Sequence, residues 1–356
     1  MKKLINDVET VLTEQLTGLV KAHPTLRLHP DPLYVTRADA PVSGKVALLS
    51  GGGSGHEPMH CGYVGKGMLS GACPGEIFTS PTPDKIFECA QAIDGGEGVL
   101  MIVKNYTGDI LNFETAAELL HESGVRVATV IVDDDVAVKD SLYTAGRRGV
   151  ANTVLIEKLL GAAAQRGDSL SQCAQLGWQI NNQGHSIGIA LSACTVPAAG
   201  TPSFTLNEHE MEFGVGIHGE PGIDRRAFTN LNDTVDAMFA TLLENGTWQR
   251  TLRQWDCSQG EWQEHTEQKQ ALQQGDRVIA LVNNLGATPL SELYGVYDRL
   301  AHCCQQAGLI IERNLVGSYC TSLDMSGVSI TLLKVDDDLL SLWDAPVNTP
   351  ALRWGE

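Results

Sequence analysis

At 356 residues the chain is long enough for about two domains, each with its own core, and a hydrophobic content of 43% suits a folded, soluble protein. A formal charge of −18 with 25 basic residues argues against nucleic acid or an anionic membrane as main partner, since both need clustered cations; a local basic patch for one protein partner remains compatible with it. No run is apolar enough to span a bilayer, acidic residues follow Met1 too soon for a signal peptide, and nine scattered cysteines without a CxxC spacing fit reduced thiols in the cytoplasm.

In chain order, Leu4, Val8, Val11, Leu12, Leu16 and Val20 recur at helical spacing and predict an opening amphipathic helix that acts as a brace. After a proline-containing stretch, residues 45–50 read as a short buried strand that runs into the loop Gly51-Gly52-Gly53-Ser54-Gly55-His56-Glu57-Pro58. Strands follow at 68–73, 98–104 and 126–132, with helices at 84–93, from Asp109 to a C-cap near Gly124, at 153–165 and at 170–180. The second half predicts strands at 186–191, 211–215, 277–282, 310–316 and 328–335 and helices near 233–244 and 290–307. The fold class is therefore α/β, with two α/β domains of mainly parallel or mixed sheets and an active-site crevice at the strand ends. The boundary is placed at Gln183-Gly184-His185, giving domains 1–184 and 185–356 that are free to interleave. Residues 254–274 read as an exposed polar excursion.

The second histidine loop is Gly216-Ile217-His218-Gly219-Glu220-Pro221-Gly222. Glycine permits positive φ and close approach to a ligand and proline fixes the exit, so each histidine is held at a bend suited to chemistry. A core histidine would more usually sit within an apolar helix or strand. His56-Glu57-Pro58-Met59-His60 satisfies the zinc-protease pattern, but Pro58 takes the two histidines out of helical register. The third glycine of the dinucleotide fingerprint is replaced by His56, and no P-loop is present. What remains is a site for a small, polar, uncharged molecule. A neutral imidazole adds to electrophilic carbonyls, with His218 the better candidate. Asp109, at a helix start, is either a plain N-cap or an ionised carboxylate able to take a hydroxyl proton. Lys104 reads as a strand-end charge or a ligand contact, and His56 as a loop-ordering hydrogen bonder or a proton carrier. The triplets Asp133-Asp134-Asp135 and Asp336-Asp337-Asp338 lack calcium-loop spacing and read as solvated caps.

The run 48–58, together with 71–81, Lys104-Asn105-Tyr106-Thr107-Gly108-Asp109 and the His218 loop, resembles the dihydroxyacetone kinase family over the whole chain. In length it is most similar to the bacterial, phosphotransferase-dependent substrate-binding K subunit; ATP-dependent relatives continue into a nucleotide-binding helical domain, whereas this sequence ends at Glu356. The resemblance implies a covalent hemiaminal between His218 and the ketone carbon of dihydroxyacetone, Asp109 as base for the terminal hydroxyl, and His56 assisting proton transfer. Gly53, Ser54, Gly55, His56, Ser80, Lys104 and Asp109 would contact the triose. It further implies no cofactor or metal in this chain, and ADP/ATP with Mg²⁺ on a partner L subunit. That subunit is recharged through a phosphohistidine M subunit and phosphoenolpyruvate. A homodimer and, in some members, transcriptional control through partners are also implied. Covalent capture selects a ketone over glycerol, which has no carbonyl to attack. A triose-binding regulator would need His218 alone, so finding Asp109 and His56 beside it favours catalysis. A dinucleotide-dependent oxidoreductase is disfavoured by the broken fingerprint.

Overall fold

The computed structural model describes residues 2–140, 144–256 and 259–355. Helix α1 (Val11–Ala22) and the hairpin β1 (Leu26–Pro30) and β2 (Leu33–Arg37) lead into β3 (Ala47–Ser54), β4 (Gly71–Ile77), α2 (Pro83–Ile93), β5 (Val99–Lys104), α3 (Thr107–Glu122) and β6 (Val127–Val132). The sheet order is β1-β2-β4-β3-β5-β6, with β4, β3, β5 and β6 parallel. Strands β5 and β6 are buried at every position, which is why they read as continuous apolar runs.

Helices α4 (Asn152–Arg166) and α5 (Leu170–Gln183) follow, the latter opened by a Ser169–Gln172 capping box. The second sheet takes β7 (Gly184–Ser192), β8 (Glu210–Phe213) and β9 (Asp224–Ala227). After α6 (Leu231–Glu244) and the hairpin β10 (Trp248–Asp256) and β11 (Glu261–Lys269), it adds β12 (Arg277–Asn284), then α7 (Leu290–Ala307), β13 (Ile310–Gly317) and β14 (Ser326–Lys334). Its order is β13-β12-β14-β7-β8-β9, and only β12 and β13 run parallel. The architecture is the expected α/β class with mixed sheets. One core cluster joins Leu100 and Val130 of the first sheet, Leu155 and Leu159 of α4, Ile180 of α5, and Ala190, Leu281 and Leu333 of the second. Helices α4 and α5 are thus the filling between the sheets. Helix α8 (Asp337–Asp344) and the short pair β15 (Val347–Asn348) and β16 (Arg353–Trp354) return to the first half, where the Ala351 amide donates to the Gly62 carbonyl. Among the described residues no helix is long and apolar enough to cross a membrane, and eight cysteines are free and buried.

Several expectations are corrected. The first helix begins at Val11, and Leu4 and Val8 are exposed ahead of it, in a segment held by the Lys3–Asp324 ion pair rather than by apolar packing. The glycine run is not a loop: Gly51, Gly52 and Gly53 continue β3, fully buried and paired with Cys73, Pro74 and Gly75 of β4. Residues 254–274 are largely the hairpin β10–β11, whose Trp255 is buried in a core of the first half. Asp133, Asp134 and Asp135 are buried rather than solvated. Asp133 meets Arg250 at 2.6 Å and Lys269 at 3.1 Å, and Asp135 meets Arg148. Asp134 accepts the Val150 and Asn152 amides at 2.8 and 2.9 Å. Asp336 is a solvated N-cap, accepting from the Leu339 amide.

Candidate functional site

Just beyond the last strand residue of β3, the chain turns and buries His56 completely. Its Nδ1 lies 2.9 Å from the Thr321 carbonyl oxygen, which can only accept, so Nδ1 carries the hydrogen and Nε2 the lone pair. That lone pair faces Nε2 of His218 at 3.1 Å. Two lone pairs cannot meet at this distance, so one proton is shared between the rings and belongs to His218 at rest. Burial lowers the His56 pKa well below 6.5, helped by the charges of His218 and Lys104 and opposed by its bond to Thr321, so His56 gives up any proton it receives.

His218 sits on the loop after β8. Tyr106 stands edge-on to its ring with centroids 4.4 Å apart, and Phe78 stacks on His56 while meeting His218 edge-on. Below the loop lies Glu220, whose Oε2 accepts the His218 amide at 2.8 Å and whose Oε1 is 3.9 Å from His218 Nδ1. Burial would raise the Glu220 carboxyl, but the His218 ring and the Arg148 guanidinium outweigh it and hold it at about 2. Arg148 is anchored in turn by Asp135 at 2.7 Å and by the Gly214 carbonyl.

Asp109 lies in the first turn of α3 behind the N-cap Tyr106, and it does not cap the helix. It is buried, its Oδ1 has no hydrogen-bond partner among the described residues, and its Oδ2 lies 3.9 Å from Lys104 Nζ at the end of β5. The two orphaned groups, Asp109 Oδ1 and His218 Nδ1, belong to residues that line one cavity of about 530 Å³.

That cavity is lined by Gly53, Ser80, Asp109 and His218 of the expected set and by Phe78, Thr79, Tyr106, Asn112 and Val196 besides. A Cβ on Gly53 would sit 2.6 Å from the Thr79 amide nitrogen, and backbone cannot yield as a side chain can; only glycine fits there. His56 and Lys104 stand directly behind the lining, against His218 and Asp109. Ser54 and Gly55 do not line the cavity: the Ser54 hydroxyl donates to the Gly75 carbonyl at 2.7 Å, and Gly55 packs under the Phe78 ring. Tyr106, Phe78 and Glu220 were missed although they lie within the motif runs, because aromatic walls and a carboxylate below a loop carry no spacing signal. Val196 lies outside every motif.

A Dak1 domain model matches residues 17–351. The chain is 80% identical over the full length of both proteins to the dihydroxyacetone-binding subunit DhaK of the PEP-dependent dihydroxyacetone kinase of Escherichia coli. It is 45% identical, over 99% of this chain and all of the relative, to the corresponding subunit of PTS-dependent dihydroxyacetone kinase 1 of Listeria innocua. Among solved structures it resembles the dihydroxyacetone kinase of C. freundii with TM-score 0.83 and 32% identity, over 98% of this chain and 60% of that one. The operon co-activator DhaQ gives the same TM-score at 31% identity, over 95% of this chain and 97% of that one.

Proposed function

The chain belongs to the dihydroxyacetone kinase family, and on that footing we propose that it is the dihydroxyacetone-binding subunit of a phosphoenolpyruvate-dependent kinase, capturing its substrate as a hemiaminal on His218. The observation that carries the reading is the convergence of an imidazole pair and a buried carboxylate on one small cavity. It is read as lying where two domains, 1–184 and 185–356, meet. The first contributes His56 and Asp109 and the second His218.

Capture begins when the shared proton moves from His218 Nε2 to His56 Nε2, freeing the lone pair to attack the ketone carbon of dihydroxyacetone. As the N–C bond forms, the carbonyl π electrons pass to oxygen, and His56 returns the proton there. With a second proton on His218 Nδ1, on the side of Glu220, the alkylated ring then carries the positive charge that the doubly protonated ring held before, so net charge is conserved. Glu220 faces that charge throughout. Asp109 Oδ1 next takes the proton of the terminal hydroxyl, and the oxygen is held for in-line transfer. The phosphoryl donor is an adenine nucleotide with Mg²⁺ on a partner subunit. In support, the dihydroxyacetone kinase from C. freundii solved in complex with AMP-PNP and Mg²⁺ is matched over only 60% of its chain. Recharging by a phosphohistidine protein and a homodimeric state complete the proposal. The likeness to a co-activator supports a second reading, a triose-sensing regulator using the same capture.

The test supplies the pure chain with dihydroxyacetone and ATP, then with partner subunits and phosphoenolpyruvate, and follows triose phosphate. Product is expected only in the second case, and product from ATP alone would refute the assignment. His218→Ala should lose the adduct; if it kept the wild-type preference for dihydroxyacetone over glycerol, covalent selection would be wrong.

A further inference from the structure

Behind the substrate cavity lies a chain of three buried groups that the capture step does not use. Lys104 Nζ is 3.0 Å from His60 Nε2, and His60 Nδ1 is 2.6 Å from Glu157 Oε1 on α4. Lys104 and Glu157 are fully buried, and His60 is 5% exposed. The Lys104 ammonium crosses the face of β3 at Gly52, where a Cβ would overlap Nζ and come within 3.5 Å of both Asp109 Oδ2 and His60 Nε2. His60 also lines a second cavity, of about 780 Å³, between α1 and the back of β3. Its walls include the exposed Gln15 and Ala22, so it opens to solvent, and it shares Gly53 with the substrate cavity.

Resting on the kinase reading, we propose that Lys104, His60 and Glu157 form a rear exit for the proton that Asp109 removes from the substrate hydroxyl, with His60 and Glu157 as positioning residues. The geometry admits two forms with the same number of protons. In one, Lys104 is an ammonium, His60 carries its proton on Nδ1 and Glu157 is a carboxylate. In the other, a proton has passed from Lys104 to His60 Nε2 and another from Nδ1 to Glu157, leaving all three groups neutral. The neutral form offers an amine 3.9 Å from Asp109. After phosphoryl transfer, Lys104 takes the proton from Asp109, which restores the carboxylate and the ammonium. Glu157 then returns the surplus proton to His60 Nδ1. The Nε2–H, which finds no acceptor in the restored Lys104 ammonium, gives its proton to water in the rear cavity that His60 lines, so His60 ends protonated on Nδ1 alone and Glu157 as a carboxylate. The front, occupied by triose and donor, need not open for this.

The surroundings suit such a store. Burial pushes the Glu157 carboxyl up to about 8, against the Lys104 charge and the Ser50 hydroxyl, so both its forms are within reach near neutrality. Burial also keeps His60 neutral, with the Lys104 charge acting in the same direction. The other titratable groups around Glu157, Cys61, Tyr63 and Cys320, are all pushed up by burial and stay protonated.

The test is His60→Gln, whose amide oxygen accepts from Lys104 and whose amide nitrogen donates to Glu157 but which cannot pass a proton. In quench-flow with the partner subunit complex, the first turnover starts from ionised Asp109 and should keep its rate within about twofold. Later turnovers should slow at least about tenfold, with triose KM unchanged and a larger solvent deuterium effect. A variant that slows first and later turnovers equally, or neither, overturns the exit. Should the complex form no triose phosphate at all, it is the kinase reading that fails. The free chain gives a separate readout. ¹⁵N NMR of labelled histidine should show the His60 proton shared between Nδ1 and Nε2 in the wild type and fixed on Nδ1 in Glu157→Gln; identical spectra would overturn the proposal.

Discussion

Glu220→Gln isolates the part that the loop carboxylate plays in capture. The variant keeps an oxygen to accept the His218 amide, now at 2.8 Å from Oε2, and removes only the charge opposite Nδ1. The gap between an ordinary 4.5 and about 2 measures how strongly His218 and Arg148 favour the ionised carboxylate, net of burial. At about 1.4 kcal/mol per pH unit it is worth roughly 3 kcal/mol. Because the pKa is depressed, this stabilisation is complete above pH 4.5 and is lost as the pH falls toward 2. Arg148 Nη1, 3.6 Å from Oε1, claims part of it, so the share available to a cationic ring is about 1–3 kcal/mol. The adduct with ¹³C-labelled dihydroxyacetone should therefore weaken by roughly 10- to 100-fold, read as loss of the ketone resonance during NMR titration. Adduct affinity within twofold of wild type, in a variant with a wild-type melting temperature, would show that the ring charge is balanced elsewhere.

Asp109→Asn should retain the adduct while turnover falls by about 10²- to 10⁴-fold, and normal turnover with partner subunits would remove Asp109 from the base role. Asp134→Ala leaves the Val150 and Asn152 amides without their acceptor at the start of α4. About 1–3 kcal/mol per orphaned donor predicts a loss of roughly 2–6 kcal/mol in urea unfolding, and a loss under ~1 kcal/mol would contradict it. His185 is held near 3 by burial, the Lys269 charge acting with it. Its unfolded form binds a proton below 6.5, so stability should fall by up to about 1.4 kcal/mol per pH unit between pH 6.5 and 3. His185→Gln should flatten that slope in acid denaturation, and superimposable profiles would rule the residue out.

What could be read from the sequence follows from how each signal is written. Strands β5 and β6 are legible because burial on both faces writes an unbroken apolar run, and His56, Asp109 and His218 because glycine and proline bracket them. The glycine part of β3 escaped because residues without side chains write no strand pattern, although their smallness is what admits Thr79 and Lys104 against the backbone. Asp133 was misread because its neutralising partners Arg250 and Lys269 lie over a hundred positions away, and Asp134 and Asp135 because nothing in the spacing shows that the Val150 and Asn152 amides and Arg148 turn back onto them. Glu157 gave no sign at all: between Leu155 and Leu159 it looks like one polar step of an amphipathic helix, and α4 is buried on almost every side.

The same distance in sequence explains why the site holds its proton so closely. Three chain segments fix one hydrogen: the turn after β3 brings His56, the loop after β8 brings His218, and the stretch after β13 brings the Thr321 carbonyl that decides which nitrogen of His56 is free. Thr321 is bound twice to that turn, its amide donating to the His56 carbonyl and its hydroxyl to the Glu57 carbonyl. The accepting carbonyl and the donating ring therefore move as one body. The His56–His218 contact instead spans the two halves, so its 3.1 Å depends on how α4 and α5 fill the space between the sheets. Core substitutions there should act on capture before they act on the tautomer of His56. That ordering separates a packing effect from a chemical one.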